Sequence, residues 1–199
     1  MKIYDLFVIG GGINGVGIAR DAAGRGLSVC LVDKGLVGGA TSSWSTKLIH
    51  GGLRYLENYE FKLVAESLKE REIINNIAND ITKTIPFIIP HSKKLRPSWL
   101  IKIGLFLYDN LGGKSLIPKS KTINIQKELP NILKKKYLKG FKYYDVQVDD
   151  TKLAQLNAKD AKKKGAYIIE NVKVVATERN KDHWIIKLDN NKDIKSKIL

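Results

Sequence analysis

The sequence predicts an α/β fold that opens with a strand, a helix and a second strand. The apolar, β-branched run at residues 6–9 is typical of a buried strand. Apolar residues then recur at helical spacing over residues 13–25, and Gly26 is a suitable helix terminator. A second apolar run covers residues 28–32. This order indicates a β-α-β unit, the building block of a parallel sheet.

Glycines fill the turn between the first strand and the helix in the pattern G-x-G-x-x-G. Gly10 permits a tight turn, Gly12 lets backbone N–H groups approach a pyrophosphate, and Gly15 lets the helix pack closely on the strand. Asp33 follows the second strand, where an acidic residue can accept hydrogen bonds from an adenosine ribose. The pattern predicts a site for the ADP half of a dinucleotide, and the alternative is a glycine-rich turn that binds nothing. FAD and NAD share the ADP half, so the motif does not choose between them.

Composition indicates a folded globular protein, with 43% hydrophobic and 28% charged residues. The single cysteine, Cys30, lies inside the second predicted strand, which excludes an internal disulfide and fits a reducing compartment. The N-terminus does not resemble a signal peptide, and no apolar stretch is long enough to span a bilayer. We therefore expect a cytoplasmic protein, or one that is peripheral on the inner face of the plasma membrane.

The formal net charge of +15 suits nucleic acid, an anionic membrane or a phosphorylated substrate. The lysines are spread along the chain, and no basic platform interleaved with aromatic residues is present. We expect a solvated lysine surface and no nucleic-acid partner. An anionic membrane surface stays open as a partner.

A loop and a short apolar island follow the β-α-β unit. Residues 38–46 are mostly small or hydroxyl-bearing, which favours neither a core nor a helix. Donors in such a loop can wrap a polar ligand, and the glycines of the island at 48–52 permit close approach of a flat ring. The alternative is an ordinary surface turn, and the residues alone leave both interpretations open.

Helical patterns occupy two later segments. Residues 58–80 predict a long helix with an apolar stripe (Phe61, Val64, Leu68 and Ile77) and a largely solvated charged run (Lys69, Glu70, Arg71 and Glu72). A short extended piece at 86–90 follows. Residues 98–111 predict a helix that is apolar nearly all round. We expect this helix to be buried, and the alternative is an interfacial helix at a membrane surface.

In the last third of the chain, predicted strands and a predicted helix follow one another again. Residues 143–148 predict a strand, and Asp149 is a suitable N-cap for a helix that runs to Lys164. Strands are expected at 166–176 and 184–188, joined through a polar turn, and at 193–199. We predict three parts: residues 1–80 as the first part of a cofactor-binding domain, 81–145 as a substrate-side insertion, and 146–199 as the return to the first domain, incomplete at its C-terminus.

Four stretches carry a family resemblance when they are taken together: residues 8–35, 41–61, 96–112 and 140–150. In order and spacing they resemble the FAD-dependent glycerol-3-phosphate dehydrogenases, flavoproteins of the aerobic, membrane-associated type. The similarity runs from Lys2 to about Asp160. The block TSSWSTKLIHGGLRYLE is the most specific, with Trp44 in a variable position.

The resemblance implies a fold, a cofactor and a set of site residues. The implied fold is a truncated α/β protein: an FAD-binding Rossmann-like domain of the glutathione-reductase type with the start of an antiparallel substrate-side segment. The implied cofactor is FAD, and no metal is expected. The implied FAD contacts are Gly10, Gly12, Asn14, Gly15 and Asp33 for the ADP half, Thr41, Ser42, Ser43, Lys47 and Leu48 along the pyrophosphate and ribityl chain, and His50, Gly51 and Gly52 near the isoalloxazine. The implied catalytic residues are His50 as the base, with Arg54 and Tyr55 bordering the substrate cavity.

The implied reaction is oxidation of sn-glycerol 3-phosphate to dihydroxyacetone phosphate, with quinone as the electron acceptor; a glycerol-3-phosphate oxidase is a close alternative. The chain is well under half the usual family length, so we expect an incomplete FAD cradle, an unpaired sheet edge and a cavity that lacks one wall. Two interpretations follow. The chain is the N-terminal part of such an enzyme and needs a complementary C-terminal chain, or it is a non-catalytic nucleotide-binding remnant.

Overall fold

The computed structural model describes residues 2–40, 44–92 and 94–199 of the chain. These residues form two compact units. The first unit comprises Met1–Lys47 and Asp149–Leu199, and the second comprises Leu48–Val148. The domain boundaries predicted from the sequence, after residues 80 and 145, differ from the boundaries of these units. The assignment of one part to the cofactor and the other to the substrate stays a prediction.

Ten strands and five α-helices make up the described part of the chain. The strands are β1 Ile3–Ile9, β2 Val29–Val32, β3 Leu48–Ile49, β4 Thr82–His91, β5 Lys121–Asn124, β6 Lys139–Val148, β7 Tyr167–Ile169, β8 Val174–Arg179, β9 Trp184–Leu188 and β10 Asp193–Ile198. The helices are α1 Ile13–Gly24, α2 Phe61–Ile77, α3 Ser98–Asn110, α4 Ile125–Glu128 and α5 Asp150–Lys163, and a 3-10 helix covers Leu53–Asn58.

The first unit is built on a six-stranded sheet in the order β7-β2-β1-β10-β9-β8. The pairs β7–β2, β2–β1 and β1–β10 are parallel, whereas β10–β9 and β9–β8 are antiparallel. The parallel part contains the predicted β-α-β unit at the predicted position. The α/β fold class is therefore confirmed.

Small side chains let α1 and α5 pack together in the first unit. Val16 and Ala19 of α1 and Ala154 and Ala158 of α5 are buried in one apolar cluster. A second cluster contains Cys30 with side chains of β1, β2 and β9. Burial raises the pKa of the Cys30 thiol to about 12, so the thiol stays protonated and unreactive near neutral pH.

Two expectations for the end of the chain need correction. Residues 166–176 do not form one strand: they divide into β7 and β8, which lie at opposite edges of the sheet. Asn171 between them has a positive φ of 59°, and its N–H donates to the carbonyl of Gly35, so the chain turns away from the β2 edge. The last strand, β10, pairs on both sides and is not itself a sheet edge.

The second unit contains an antiparallel sheet centred on β6. Ten residue pairs join β4 to β6, from Thr82 opposite Val148 to His91 opposite Lys139. The other edge of β6 pairs with β5 and with β3. The predicted short extended piece at 86–90 is thus the middle of a ten-residue strand, and its prolines are tolerated because β4 lies at the edge of the sheet.

Two helices of the second unit differ from their predicted environment. Arg71 was expected in solvent but is buried, because it shares a helix face with Val64 and Leu68. Phe61 and Ile77, expected in the apolar stripe of α2, are exposed. The α3 helix was expected to be buried, yet four of its apolar side chains are exposed: Trp99, Leu100, Ile103 and Phe106. Among the residues that the structure describes, no helix is both long enough and apolar enough to cross a membrane.

Candidate functional site

The glycine turn of the first unit has the geometry that the motif requires. Gly10 has a φ of +103°, a conformation that residues with a side chain rarely adopt. A Cβ placed on Gly15 would lie 1.9 Å from the carbonyl oxygen of Gly10. The start of α1 therefore sits directly against the end of β1, and only glycine fits at position 15.

The N-terminus of α1 suits an anion. Gly12 is its N-cap, and within the described part of the chain no side chain caps the helix there. Its first turn carries no acidic residue, and the Asn14 side chain is exposed. Backbone N–H groups at such an end attract a negatively charged group such as a phosphate. The turn thus fits the pyrophosphate of a dinucleotide.

Asp33 lies beside the same turn. Its Oδ2 accepts a hydrogen bond from the Gly11 N–H at 2.5 Å, and its Oδ1 accepts one from the Gly35 N–H at 2.7 Å. Each carboxylate oxygen has a second lone pair that can accept from a ribose hydroxyl. The two backbone bonds hold the carboxylate at the carboxyl end of β2, where ligands of parallel sheets bind.

An ion pair holds the loop that follows. Lys47 has a positive φ of 57°, and its Nζ lies 2.5 Å from Oδ1 of Asp150. The Ser45 hydroxyl donates to the other oxygen of Asp150 at 2.7 Å. Burial opposes ionisation of Asp150, but these hydrogen bonds lower the pKa of its carboxyl below its usual value. Thr41, Ser42 and Ser43, predicted to contact the cofactor, lie outside the described residues.

A cavity of about 870 Å³ in the second unit brings the three predicted catalytic residues together. His50 follows β3, and Arg54 and Tyr55 belong to the 3-10 helix. All three side chains are exposed. The predicted contacts Leu48 and Gly52 also line the cavity, as do six residues that the sequence did not indicate for this site: Leu53, Glu57, Asn58, Phe87, Tyr143 and Asp145.

A backbone hydrogen bond assigns the tautomer of His50. The Gly52 N–H donates to Nδ1 of His50 at 3.0 Å, so the proton of the neutral ring is on Nε2. In this conformation Nε2 is the ring nitrogen that can donate a hydrogen bond. Nδ1 can accept a proton only after the bond from Gly52 is released.

The two glycines after His50 are required by packing inside the second unit. Gly51 is buried, and a Cβ on it would lie 2.4 Å from Cδ2 of Leu68 and 2.9 Å from Cε2 of Tyr108. Gly52 is also buried and has a φ of +69°. Leu68 and Tyr108 take up the space on the Cβ side of Gly51, and the predicted contact of both glycines with a ligand ring stays a prediction.

A buried polar network contacts the segment His50–Gly52, and the sequence did not predict it. Asp145 accepts hydrogen bonds from Nη1 of Arg71 at 2.7 Å and from the Tyr108 hydroxyl at 2.8 Å. Arg71 also donates to Glu72 at 3.1 Å. Burial raises the pKa of the Asp145 carboxyl, and the bonds from Arg71 and Tyr108 oppose that shift. The available signal was an acidic residue between Tyr144 and Val146, inside a predicted strand.

Comparison with known proteins agrees with this geometry. The family model described as FAD dependent oxidoreductase matches residues 5–197. The chain is 50% identical over 187 residues to D-erythritol 1-phosphate dehydrogenase of Brucella abortus, and 50% identical over 188 residues to glycerol-3-phosphate dehydrogenase of Pseudomonas tolaasii. Each match covers 94% of this chain but only 37% and 36% of the respective relative.

A solved structure gives the same result at the level of the fold. The glycerol-3-phosphate dehydrogenase of Bacillus halodurans, solved in complex with FAD, superposes with a TM-score of 0.67 at 27% identity, over 98% of this chain and 32% of that one. The chain thus spans about a third of the length of the relatives that it matches. Because the family model covers nearly all of its residues, the chain belongs to the FAD-dependent oxidoreductase family.

Proposed function

We propose that this chain supplies the nucleotide site and part of the substrate site of an FAD-dependent dehydrogenase. The enzyme oxidises sn-glycerol 3-phosphate to dihydroxyacetone phosphate and passes the electrons to quinone. The observation that carries the proposal is the grouping of His50, Arg54 and Tyr55 on one cavity. Relatives at 46% to 50% identity include glycerol-3-phosphate dehydrogenases, which supports the substrate.

The described residues fit FAD. Gly10, Gly12 and Gly15 form a turn that admits a pyrophosphate, and Asp33 presents carboxylate oxygens for a ribose. When bound, the flavin accepts the two electrons that leave the substrate. The remaining proposed contacts follow the predicted set: Asn14, Thr41, Ser42, Ser43, Lys47 and Leu48 for the chain of the cofactor, and His50, Gly51 and Gly52 beside its ring.

Arg54 is the proposed substrate anchor. Its exposed guanidinium lines the cavity together with Tyr55. A guanidinium can make two parallel hydrogen bonds to a phosphate or steady an alkoxide. The Glu57 carboxylate on the same cavity already pairs with the Arg96 guanidinium, whereas Arg54 has no ion pair within the described residues. We therefore assign the phosphate to Arg54.

His50 is the proposed base for the substrate hydroxyl. An imidazole is suited to proton transfer near neutral pH. In the described conformation Nε2 of His50 carries the ring proton, so it can donate a hydrogen bond that orients the hydroxyl oxygen of the substrate. To take up the proton, Nδ1 must first release the Gly52 N–H and then face the substrate hydroxyl in place of Nε2. The conformation of Gly52 is thereby coupled to the protonation of His50.

Substituting His50 tests this assignment. We expect His50→Ala to lower turnover by about 100-fold or more, the usual contribution of a general base, with much less loss of FAD content. The matched control is His50→Asn, whose amide oxygen can still accept from the Gly52 N–H but cannot take up a proton. Turnover is measured with the remaining two thirds of the enzyme present, supplied by further residues of the same polypeptide or by a complementary chain. Unchanged turnover in His50→Asn, or equal loss of FAD and turnover in His50→Ala, would contradict the role of base.

A longer polyol phosphate is the second candidate substrate. The match to D-erythritol 1-phosphate dehydrogenase is as strong in identity as the match to glycerol-3-phosphate dehydrogenase. Both substrates carry a phosphate and a secondary hydroxyl, so the same cavity residues suit either. Oxygen in place of quinone as the acceptor would make the enzyme an oxidase.

The visible absorption spectrum of the chain tests the proposal as a whole. The chain is refolded with FAD in the presence of the remaining two thirds of the enzyme, desalted and titrated with each polyol phosphate. A retained flavin spectrum that bleaches with glycerol 3-phosphate supports the function, and bleaching only with erythritol 1-phosphate supports the second candidate. If the protein retains flavin that does not bleach, the chain binds the cofactor but does not support the reaction. Colourless protein would favour a non-catalytic remnant.

We further propose that an anionic membrane surface is the site where this enzyme meets its quinone. Trp99 and Phe106 of α3 are 63% and 66% exposed, and Lys102 is exposed on the same helix. Exposed aromatic side chains beside a lysine suit a lipid headgroup region.

Vesicle binding tests this surface. We expect the chain to sediment with vesicles that contain phosphatidylglycerol and not with neutral phosphatidylcholine vesicles. The double substitution Trp99→Ser and Phe106→Ser should weaken binding at least tenfold, because two large apolar groups no longer enter the interface. The control substitutes Trp44, which is also exposed but lies in the first unit. Equal binding by both variants would contradict the proposal.

A further inference from the structure

We propose that Asp145 is a positioning residue of the candidate site, which acts through the Tyr108 hydroxyl to hold the backbone of the segment His50–Gly52. Its role as part of an active site rests on the proposed function. The network itself is defined by contacts within the second unit. Arg71 completes it by holding the Asp145 carboxylate.

Two hydrogen bonds in series connect the segment His50–Gly52 to the Asp145 carboxylate, with each donor on the side of the segment. The Gly51 N–H donates to the Tyr108 oxygen at 2.7 Å, and the Tyr108 hydroxyl donates to Asp145 at 2.8 Å. A phenol has a single hydrogen to donate. Because Asp145 accepts that hydrogen, the lone pairs of the Tyr108 oxygen are available to the Gly51 N–H. Asp145 therefore determines that Tyr108 is an acceptor for the segment.

The network is shielded from water. Asp145, Arg71 and Tyr108 are 4%, 5% and 2% exposed, and Gly51 is buried. Hydrogen bonds to a charged group are stronger than neutral ones when water is excluded. Burial and the adjacent Asp145 charge also raise the pKa of the Tyr108 hydroxyl, which keeps the phenol protonated as a donor.

The arrangement favours positioning over simple core packing. A buried ion pair is an inefficient way to stabilise a core, since apolar residues of similar volume often do as well. Here the pair lies beneath an exposed histidine: Gly51 is buried in the network while its neighbour His50 faces the cavity. Asp145 itself lines the same cavity. The network thus links the wall of the cavity to the backbone that carries His50.

Amide hydrogen exchange at Gly51 tests the proposal without any cofactor. The ¹⁵N-labelled chain and its Tyr108→Phe variant are compared by NMR, with the Leu68 amide in α2 as the internal reference. We expect exchange at Gly51 to rise about tenfold relative to Leu68, the effect of losing one buried hydrogen bond. A merely structural role would raise exchange at both amides together.

Two further variants complete the experiment. Tyr143→Phe removes the hydroxyl of a ring next to Tyr108, and no hydrogen bond to that hydroxyl occurs within the described residues, so Gly51 should exchange as in the unsubstituted chain. Asp145→Asn keeps a weaker acceptor for Tyr108, so Gly51 exchange should fall between the unsubstituted chain and Tyr108→Phe. If Tyr108→Phe does not fold, the Asp145→Asn variant alone tests the proposal. Unchanged exchange at Gly51 in either Tyr108→Phe or Asp145→Asn would overturn the proposal.

The proposed function fails on a different measurement. Flavin bleaching by glycerol 3-phosphate reports on the reaction, and the Gly51 amide reports on the network. Flavin that does not bleach, with the expected exchange pattern at Gly51, overturns the function and supports the network. Bleaching with an unchanged Gly51 amide overturns the network and supports the function.

Discussion

The Gly15→Ala variant should lose FAD and unfold more readily than the unsubstituted chain. A Cβ at this position would lie 1.9 Å from the carbonyl oxygen of Gly10, which is backbone and cannot move aside as a side chain can. Relief of the clash requires α1 to shift away from β1, which displaces the N–H groups proposed to bind the pyrophosphate. We expect a loss of about 3 kcal/mol in the free energy of unfolding, at the upper end for overpacking. Urea unfolding and flavin absorbance after desalting measure the two effects.

Gly17→Ala is the matched control in the same helix. A Cβ at Gly17 meets no atom within 4 Å. Alanine is the better helix former, so stability should be unchanged or higher by about 0.5–1 kcal/mol. FAD retention should equal that of the unsubstituted chain. Similar behaviour of the two variants would show that close contact at Gly15 is not what the nucleotide site needs.

Asp145→Ala should be among the most destabilising single substitutions in the second unit. It leaves Arg71, 5% exposed, without its Asp145 partner, and it removes the acceptor of the Tyr108 hydroxyl. Removing one partner of a buried ion pair costs about 3–5 kcal/mol. We expect the urea midpoint to fall accordingly, with unfolding followed by circular dichroism.

An exposed ion pair provides the comparison for Asp145. Asp160 pairs with Arg20 in the first unit, with side chains 37% and 48% exposed. Solvent screens such a pair, so Asp160→Ala should unfold at nearly the same urea concentration as the unsubstituted chain. If Asp145→Ala were equally mild, Arg71 would have found another partner, and the network around Tyr108 would not depend on Asp145.

Local patterns in the sequence were sufficient for the β-α-β unit and for the cap of α5. The strand, the glycine turn, the helix and Asp33 follow one another within about 30 residues, so their contacts are local. Asp149 accepts from the Lys152 N–H at 3.0 Å, as its position before the helix predicted. The motif residues around His50 were also found, because the resemblance rests on a contiguous block. Their contacts with FAD stay a prediction.

The sequence by itself determined the fold class and the glycine turn, whereas the site roles of His50, Arg54 and Tyr55, which the family resemblance implied, stay a prediction. Only the tertiary structure decided that Arg71 is buried, that residues 166–176 divide between two sheet edges, and that Asp145 supports the backbone beside His50. Arg71 and Asp145 are 74 residues apart, and Gly51 and Tyr108 are 57 apart. A period of two or 3.6 residues reports which face of an element is apolar, but it does not identify the partner that a polar side chain meets across such distances.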